Sequence, residues 1–217
     1  VTHYCACAKC CGSNAQGLHA YLATNDGLSV VDISNASAPT LAGQLHLDGS
    51  PSDIAIDKAT SLVAVAAGTG GVWLVDIADP TNPSVFAQIA LPTTQIEVVN
   101  GIAYFGSQGF LRAYDMGSVR EDSRLAIGSS AVTGMTVEGE TLYILQADGR
   151  LTSFSTNDGA LQQLGSIQLS DGTGSSTDIA GSSQITVANG ILYIPRGDTQ
   201  VIGGFATVDV HDPAAPV

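Results

Sequence analysis

The sequence predicts an all-β protein, a β-propeller of about five repeated four-stranded antiparallel blades. One stretch occurs three times: an apolar residue, an Asp, a β-branched residue and, seven positions after the Asp, a proline. Between the copies, short apolar strands alternate with Gly-containing turns. Four strands in about 40 residues is the size of a propeller blade. No segment has the 3.6-residue apolar period of a helix, so few helices are expected.

The repeated Asp anchors each repeat at the end of a strand. The aligned anchor residues are Asp32, Asp76, Asp115, Ser155 and Asp209. An Asp beside a turn rich in Ser, Asn or Pro accepts hydrogen bonds from the amides of that turn. We therefore interpret the anchor as structural and not as a catalytic residue.

Each repeat also contains a short apolar strand before the anchor strand. These strands are centred on Tyr21, Val65, Tyr104, Tyr143 and Tyr193, and the tyrosine rings are expected to fill the space between packed blades. Alternating patterns and turn signals add two further strands to each repeat. The predicted inner strands are Asp53–Asp57, Gln95–Val99, Thr133–Val137 and Gln184–Val187. The predicted outer strands are Thr40–Leu47, Ser84–Leu91, Ser123–Ile127 and Ala160–Leu169.

Composition divides the chain into two parts. All four cysteines lie in residues 1–16, which form a Cys-rich N-terminal segment. Residues 17–217 carry the propeller repeats, and the boundaries fall after each outer strand. The expected units lie near 17–50, 51–92, 93–130, 131–170 and 171–217.

The four cysteines, Cys5, Cys7, Cys10 and Cys11, have three competing interpretations. They could be a strand-borne set of no special role, since Cys5 and Cys7 would share one face of an extended segment. As thiolates they could bind a soft metal. Zinc sites, however, use two separated C-x-x-C pairs, and this segment has one. In an oxidising compartment the same residues would form disulfides, which the pattern favours.

Leu74–Ile77, followed by Asp79–Pro83, resembles the LVIVD-repeat β-propellers, and so do the copies at Val31 and Val208. The resemblance extends over nearly the whole chain from Leu18, and it weakens in the third and fourth repeats. It implies a secreted or cell-surface bacterial propeller that is part of a larger protein with neighbouring domains. It implies no catalytic role.

The stretch His3–Gly12 resembles the start of the three-aspartate domain found in peptidoglycan-active double-psi barrels. The similarity covers about ten residues, since the chain that follows has the pattern of the repeats. It is the basis of an alternative function, a hydrolase of cell-wall polymer.

Charge and hydropathy exclude two classes of partner. The chain has 20 acidic and 7 basic residues, a net charge of −13, so it cannot form the basic stripe that nucleic-acid binding requires. No apolar run approaches the roughly 20 residues of a transmembrane helix. The first residues also lack the pattern of a signal peptide.

Two long loops form the candidate binding site. Ser170–Ser183 and Pro195–Gly204 belong to neighbouring repeats, so they are expected to lie together at one rim and to bind a protein or a glycan. The candidate binding residues in this rim are Asp171, Asp178, Arg196 and Asp198. The three aspartates could also bind Ca²⁺, although their spacing fits no known calcium motif.

The sequence thus favours an extracellular or cell-surface module for adhesion or protein–protein contact, without an enzymatic activity or a cofactor. No nucleophile elbow, phosphate-binding loop, zinc-protease motif or paired-carboxylate pattern is present. The alternative is an enzyme that uses the propeller rim, either the cell-wall hydrolase or a metal-assisted enzyme.

Overall fold

A computed structural model describes residues 13–16, 18–169, 184–196 and 204–217 of the 217-residue chain. These residues form strands, turns and one short 3-10 helix, Asn157–Gly159, with no α-helix among them. The described strands are arranged in five antiparallel sheets. The predicted all-β fold class is therefore confirmed.

Each sheet is built from strands that follow one another along the chain. The first contains β1 (Ser13–Gln16), β2 (His19–Thr24), β3 (Gly27–Asp32) and β4 (Thr40–His46). The second contains β5 (Asp53–Asp57), β6 (Leu62–Ala66), β7 (Val72–Asp76) and β8 (Ser84–Ile89). The third contains β9 (Ile96–Val99), β10 (Ile102–Ser107), β11 (Phe110–Asp115) and β12 (Arg120–Ala126). The fourth contains β13 (Val132–Glu138), β14 (Thr141–Gln146), β15 (Arg150–Ser155) and β16 (Gln162–Gln168). The fifth contains β17 (Thr186–Ala188), β18 (Ile191–Arg196) and β19 (Gly204–Asp209).

In every sheet the strand order follows the chain order, as expected for hairpins joined by tight turns. The predicted inner and outer strands agree with the observed ones to within a few residues at each end. Strand β1 lies inside the stretch 1–16 that composition set apart, and it pairs with β2 from Ser13↔Leu22 to Gln16↔His19. The last residues of that stretch therefore belong to the first sheet.

The described residues form two compact units. One extends up to Gln108 and includes Tyr114–Glu121, and the other consists of Gly109–Ala113 and the residues from Asp122 onward. In the first unit, one apolar cluster joins the first sheet to the second, with Tyr21 and Val30 packed among Ile56 and Val65. A second cluster joins the second sheet to the third through Leu74 and Phe105. Burial of each such side chain stabilises the fold by about 1.5–3 kcal/mol.

The second unit has the same arrangement. Tyr143 and Leu151 of the fourth sheet pack against Leu192 and Val208 of the fifth. The hydroxyl of Tyr143 also donates a 3.4 Å hydrogen bond to the carbonyl of Val210. In both units, sheets adjacent in sequence therefore pack face to face through apolar side chains.

The prediction that tyrosines fill the space between sheets is correct for Tyr21 and Tyr143, which lie in apolar clusters that join two sheets. Tyr104 is also buried, whereas 40% of Tyr193 is exposed. In the second sheet the prediction was wrong by one residue. Asp76 pairs with Leu62 just as Asp32 pairs with His19, so Ala64, and not Val65, is the equivalent of Tyr21.

Every turn that follows a repeated Val-Asp segment has the same length. Asp32 pairs with Thr40 and Asp76 pairs with Ser84, each across seven intervening residues. The amides of Asp209 and Val217 each donate to the other's carbonyl, at 2.7 and 3.0 Å, across the same number of residues. Val217 thus pairs with Asp209 as Thr40 and Ser84 pair with the anchors of their own sheets.

Candidate functional site

Most of the predicted site residues lie outside the described residues. This holds for Cys5, Cys7, Cys10 and Cys11, and for Asp171, Asp178 and Asp198. Arg196 is the last residue of β18, where its backbone pairs with Gly204. In the described part of the chain, no group of three or more His, Cys, Asp or Glu residues is placed to hold a metal ion. The cysteine and rim hypotheses remain predictions.

The anchor aspartates have the structural role that was predicted for them. Asp32, Asp76 and Asp209 each accept a hydrogen bond from the amide two residues later, at 2.8, 2.9 and 3.0 Å. In the third repeat, Asp115 accepts from the amide of Ser118 at 2.6 Å. The pKa of Asp32 is lowered, mainly because the backbone amide of Ser34 stabilises the charged carboxylate. These carboxylates close turns, and their function is architectural.

A second turn-closing residue follows each Val-Asp anchor by three positions, and the sequence analysis missed it. Asn35, Asp79 and Asp212 each accept a hydrogen bond from the amide two residues later, at 3.1, 3.0 and 3.0 Å. The signal was present as the spacing Asp-x-x-Asn/Asp, followed four residues later by proline. Two consecutive Asx turns therefore fix the path of the chain between the anchor strand and the outer strand.

The turns in the second and fifth sheets pack against glycines of the preceding sheet. A Cβ on Gly43 of β4 would lie 2.6 Å from the carbonyl oxygen of Pro80, and a Cβ on Gly165 of β16 would lie 2.5 Å from that of Ala214. Neither approach is possible for a residue with a side chain. The hydroxyl of Ser153 adds a short hydrogen bond to the carbonyl of Pro213.

Two carboxyl groups converge where the second and third sheets meet, in the first unit. Asp53 begins β5 and accepts hydrogen bonds from the amide of Ile54 and, across to β9, from the amide of Ile96, both at 2.9 Å. Burial raises the pKa of Asp53 to about 6, although these amides oppose the shift. Glu97 follows Ile96, and burial, together with the charge of Asp53, raises its pKa to about 8.

At neutral pH the pair therefore retains a proton on Glu97. Such a group can donate a proton to a ligand, as general acids do. The sequence analysis missed this pair because its members are 44 positions apart in different repeats. The available signal was an acidic residue within the first two positions of the inner strand in two consecutive repeats.

The outer strands form a second candidate site, because they differ in how their open edges are protected. Strand β12 has two arginines, a glutamate and an aspartate, charges that discourage pairing with another chain. Strands β4, β8 and β16 have no Asp, Glu, Lys or Arg. Each also has a bulge, at Ala42, Phe86 and Leu164, because two residues of the outer strand oppose one of its neighbour.

The bulge in β8 exposes two consecutive apolar side chains. Val85 is 45% exposed and Phe86 is 47% exposed, and both lie on the open edge strand of the second sheet. On β4, Leu41 is 59% exposed at the position equivalent to Val85. An uncharged edge strand with apolar side chains is able to pair with an extended segment of another protein.

Successive sheets of four short antiparallel strands, stacked face to face in chain order, define the class of β-propeller proteins. A model of the LVIVD repeat matches residues 14–46 and 63–89, which fall in the first and second sheets. These two stretches therefore carry the LVIVD repeat, as the sequence resemblance indicated for the first two copies of the motif.

Solved propeller structures are similar to this chain in fold. BamB from Moraxella catarrhalis matches with a TM-score of 0.64 and 16% identity, over 92% of this chain and 57% of BamB. The N-terminal domain of Nup159 matches with a TM-score of 0.62 and 15% identity, over 93% of this chain and 58% of that domain. PorZ is an essential bacterial surface component of the type-IX secretion system of Porphyromonas gingivalis. It matches with a TM-score of 0.60 and 16% identity, over 96% of this chain and 25% of PorZ.

At these identities the likeness shows the fold alone. The chain spans less than three fifths of each of these neighbours. None of the curated proteins matches the chain. In the described residues, no helix is long and apolar enough to cross a membrane.

Proposed function

We propose that this chain is a non-catalytic binding and scaffolding module, located outside the cell or at its surface, that binds protein partners through its uncharged outer strands. The observation that carries the proposal is the pair Val85 and Phe86, exposed on an edge strand without charges. A partner segment that extends the second sheet would satisfy the outward backbone groups of β8. Its own apolar side chains would pack on those of β8.

Two further observations support the class and the location. The LVIVD repeats imply a secreted or cell-surface propeller, and one structural neighbour is described as a bacterial surface component. The predicted rim of Asp171, Asp178, Arg196 and Asp198 is a second binding surface in this proposal, for a protein or a glycan. The chain then works as a rigid support whose edges and loops make the contacts.

Selection of peptides on the immobilised chain tests the edge-strand site. We expect the selected peptides to have alternating apolar residues, as an added strand requires. The variant Phe86→Lys should weaken their binding by about tenfold or more, the loss typical of a central apolar contact. The matched control is Leu18→Lys, which makes the same change at an exposed residue in the turn between β1 and β2. Equal binding by the wild type and Phe86→Lys would refute the edge-strand site.

The half-buried carboxyl pair favours a second function, the cell-wall hydrolase. Glu97 retains its proton at neutral pH and could act as a general acid, with Asp53 as the ionised partner. Release of soluble fragments from purified peptidoglycan measures this activity. Release by the wild type and its loss in Glu97→Gln would overturn the non-catalytic proposal, whereas no release by the wild type would support it.

A further inference from the structure

The fifth sheet has one buried face and one exposed face. Leu192, Ile194 and Val208 are buried against the fourth sheet. The alternate residues of β18 and β19 point to the opposite face. Four of them are exposed: Tyr193, Pro195, Phe205 and Thr207. The rings of Tyr193 and Phe205 lie 6.1 Å apart, so the exposed face has an aromatic centre.

Equivalent positions in other sheets show what this face does elsewhere in the protein. Tyr193 pairs with Thr207 and Pro195 pairs with Phe205, as Tyr21 pairs with Val30 and Ala23 pairs with Leu28 in the first sheet. The residues equivalent to Phe205 in the first, second and fourth sheets are Leu28, Val72 and Leu151, all of which are buried.

These equivalent residues are buried by the sheet that follows in the chain. Leu28 lies in the cluster with the second sheet, Val72 in the cluster with the third, and Leu151 in the cluster with the fifth. Phe205 is 68% exposed, although its position is of the same kind. The exposed face of the fifth sheet is therefore one half of a sheet-on-sheet contact.

The first sheet presents the other half. In the second sheet, Val63, Val65 and Val75 are completely buried by the first sheet. Their equivalents in the first sheet are Ala20, Leu22 and Val31, which are only partly buried. These three are small or medium aliphatic residues without charge. They therefore resemble the three valines through which the second sheet packs on the first.

We propose that the exposed face of the fifth sheet binds the first sheet of a second copy of this chain. The contact repeats, between two molecules, the packing that joins consecutive sheets within each unit. It is head-to-tail, because each copy contributes a different face. Aromatic residues such as Tyr193 and Phe205 are enriched at the centres of protein interfaces, where they bury a large area.

Charge opposes this association in a predictable way. Each copy has a net charge of −13, so two copies repel each other at low salt. The side chains at the centres of the two faces are uncharged, and screening therefore leaves the apolar contact unaffected. Association should strengthen as salt is raised, unlike a contact based on ion pairs.

Sedimentation velocity of the full chain between about 1 and 200 µM tests the proposal, since this range covers the micromolar affinities of weak protein–protein contacts. We expect the sedimentation coefficient to rise with concentration for the wild type. Phe205→Asp and Leu22→Lys should each remain monomeric over this range. Ala126→Asp is the control, since it introduces the same charge at an exposed residue of the charged outer strand β12, and it should associate like the wild type.

A mixture of the two variants distinguishes a head-to-tail contact from other modes. Phe205→Asp retains an intact first sheet and Leu22→Lys retains an intact fifth sheet, so their mixture should form a heterodimer. Circular dichroism verifies the fold of each variant, and Ala20→Lys replaces Leu22→Lys if the latter unfolds. A wild type that is monomeric at every concentration, association that persists in Phe205→Asp, or a mixture that stays monomeric would each overturn the proposal.

Discussion

The amide of Ile96 donates a 2.9 Å hydrogen bond to the carboxylate of Asp53 and so joins the inner strands of the second and third sheets. Asp53 and Glu97 are both half-buried, which disfavours their charged forms. Both carboxyls have a raised pKa in the folded protein, and the stability of the fold should therefore depend on pH.

Stability should fall as pH rises from about 4.5 to about 8, because the unfolded state releases the proton of Glu97 before the folded state does. Below this range both states are protonated and there is no penalty. Glu97→Gln should remove most of this fall and be more stable than the wild type at pH 9, by on the order of a few kcal/mol. Urea unfolding at pH 5, 7 and 9 measures the difference. Glu140→Gln, at an exposed turn, serves as the control, and parallel pH profiles for Glu97→Gln and the wild type would contradict this prediction.

Removal of an anchor carboxylate should destabilise the protein modestly. Asp76→Ala leaves the amide of Ala78 without its partner and should lower the free energy of unfolding by about 1 kcal/mol. Asp76→Asn retains an acceptor oxygen and should recover most of this loss. Denaturant unfolding of the wild type and the two variants measures the effect. An Asn variant that is as unstable as the Ala variant would contradict this prediction.

Two glycines should not tolerate a methyl group. Gly43→Ala and Gly165→Ala place a Cβ against backbone carbonyls and should each cost about 1–3 kcal/mol of stability. Gly117→Ala is the matched control, because its nearest neighbour would be 3.6 Å away, a normal contact distance. Thermal unfolding compares the variants. Equal melting temperatures for Gly43→Ala and Gly117→Ala would show that the turn is free to shift.

The cysteines should be oxidised if the chain is extracellular. Cys10 and Cys11 are adjacent, and a disulfide between neighbours is strained, so each is expected to pair with Cys5, Cys7 or another chain. Thiol titration of the denatured, chelator-treated protein should detect almost no free thiols. About four free thiols, with release of zinc or copper, would instead indicate a thiolate metal site.

The sequence predicted the strands and anchors well because their signals are local. Strand alternation, turn residues and the Asp-to-Pro spacing all lie within a few positions of one another. The one-residue error at Ala64 also has a local cause, because β6 is apolar at every position and both its faces are buried. A continuous apolar run has no period by which its two faces can be distinguished.

The carboxyl pair and the exposed aromatic face required the structure. Asp53 and Glu97 are ordinary acidic residues in their own repeats, and their interaction, which helps to raise the pKa of Glu97, exists only in the folded chain. Tyr193 has the same sequence context as Tyr143. Tyr193 is exposed because no described sheet covers it, and the sequence of its own repeat does not predict whether a neighbouring sheet is present.

The fit of Gly43 and Gly165 to the turns of the following sheets limits how this protein could evolve. The equivalent residue of the second sheet is Ala87, and the third sheet that follows it lacks a proline turn. A small residue thus occurs where the next repeat carries the bulky turn, so adjacent repeats are matched pairs. A duplication that placed a proline-turn repeat after the second sheet would create a steric clash. Copies of these repeats should therefore be inherited as pairs, and shuffling of single repeats should be selected against.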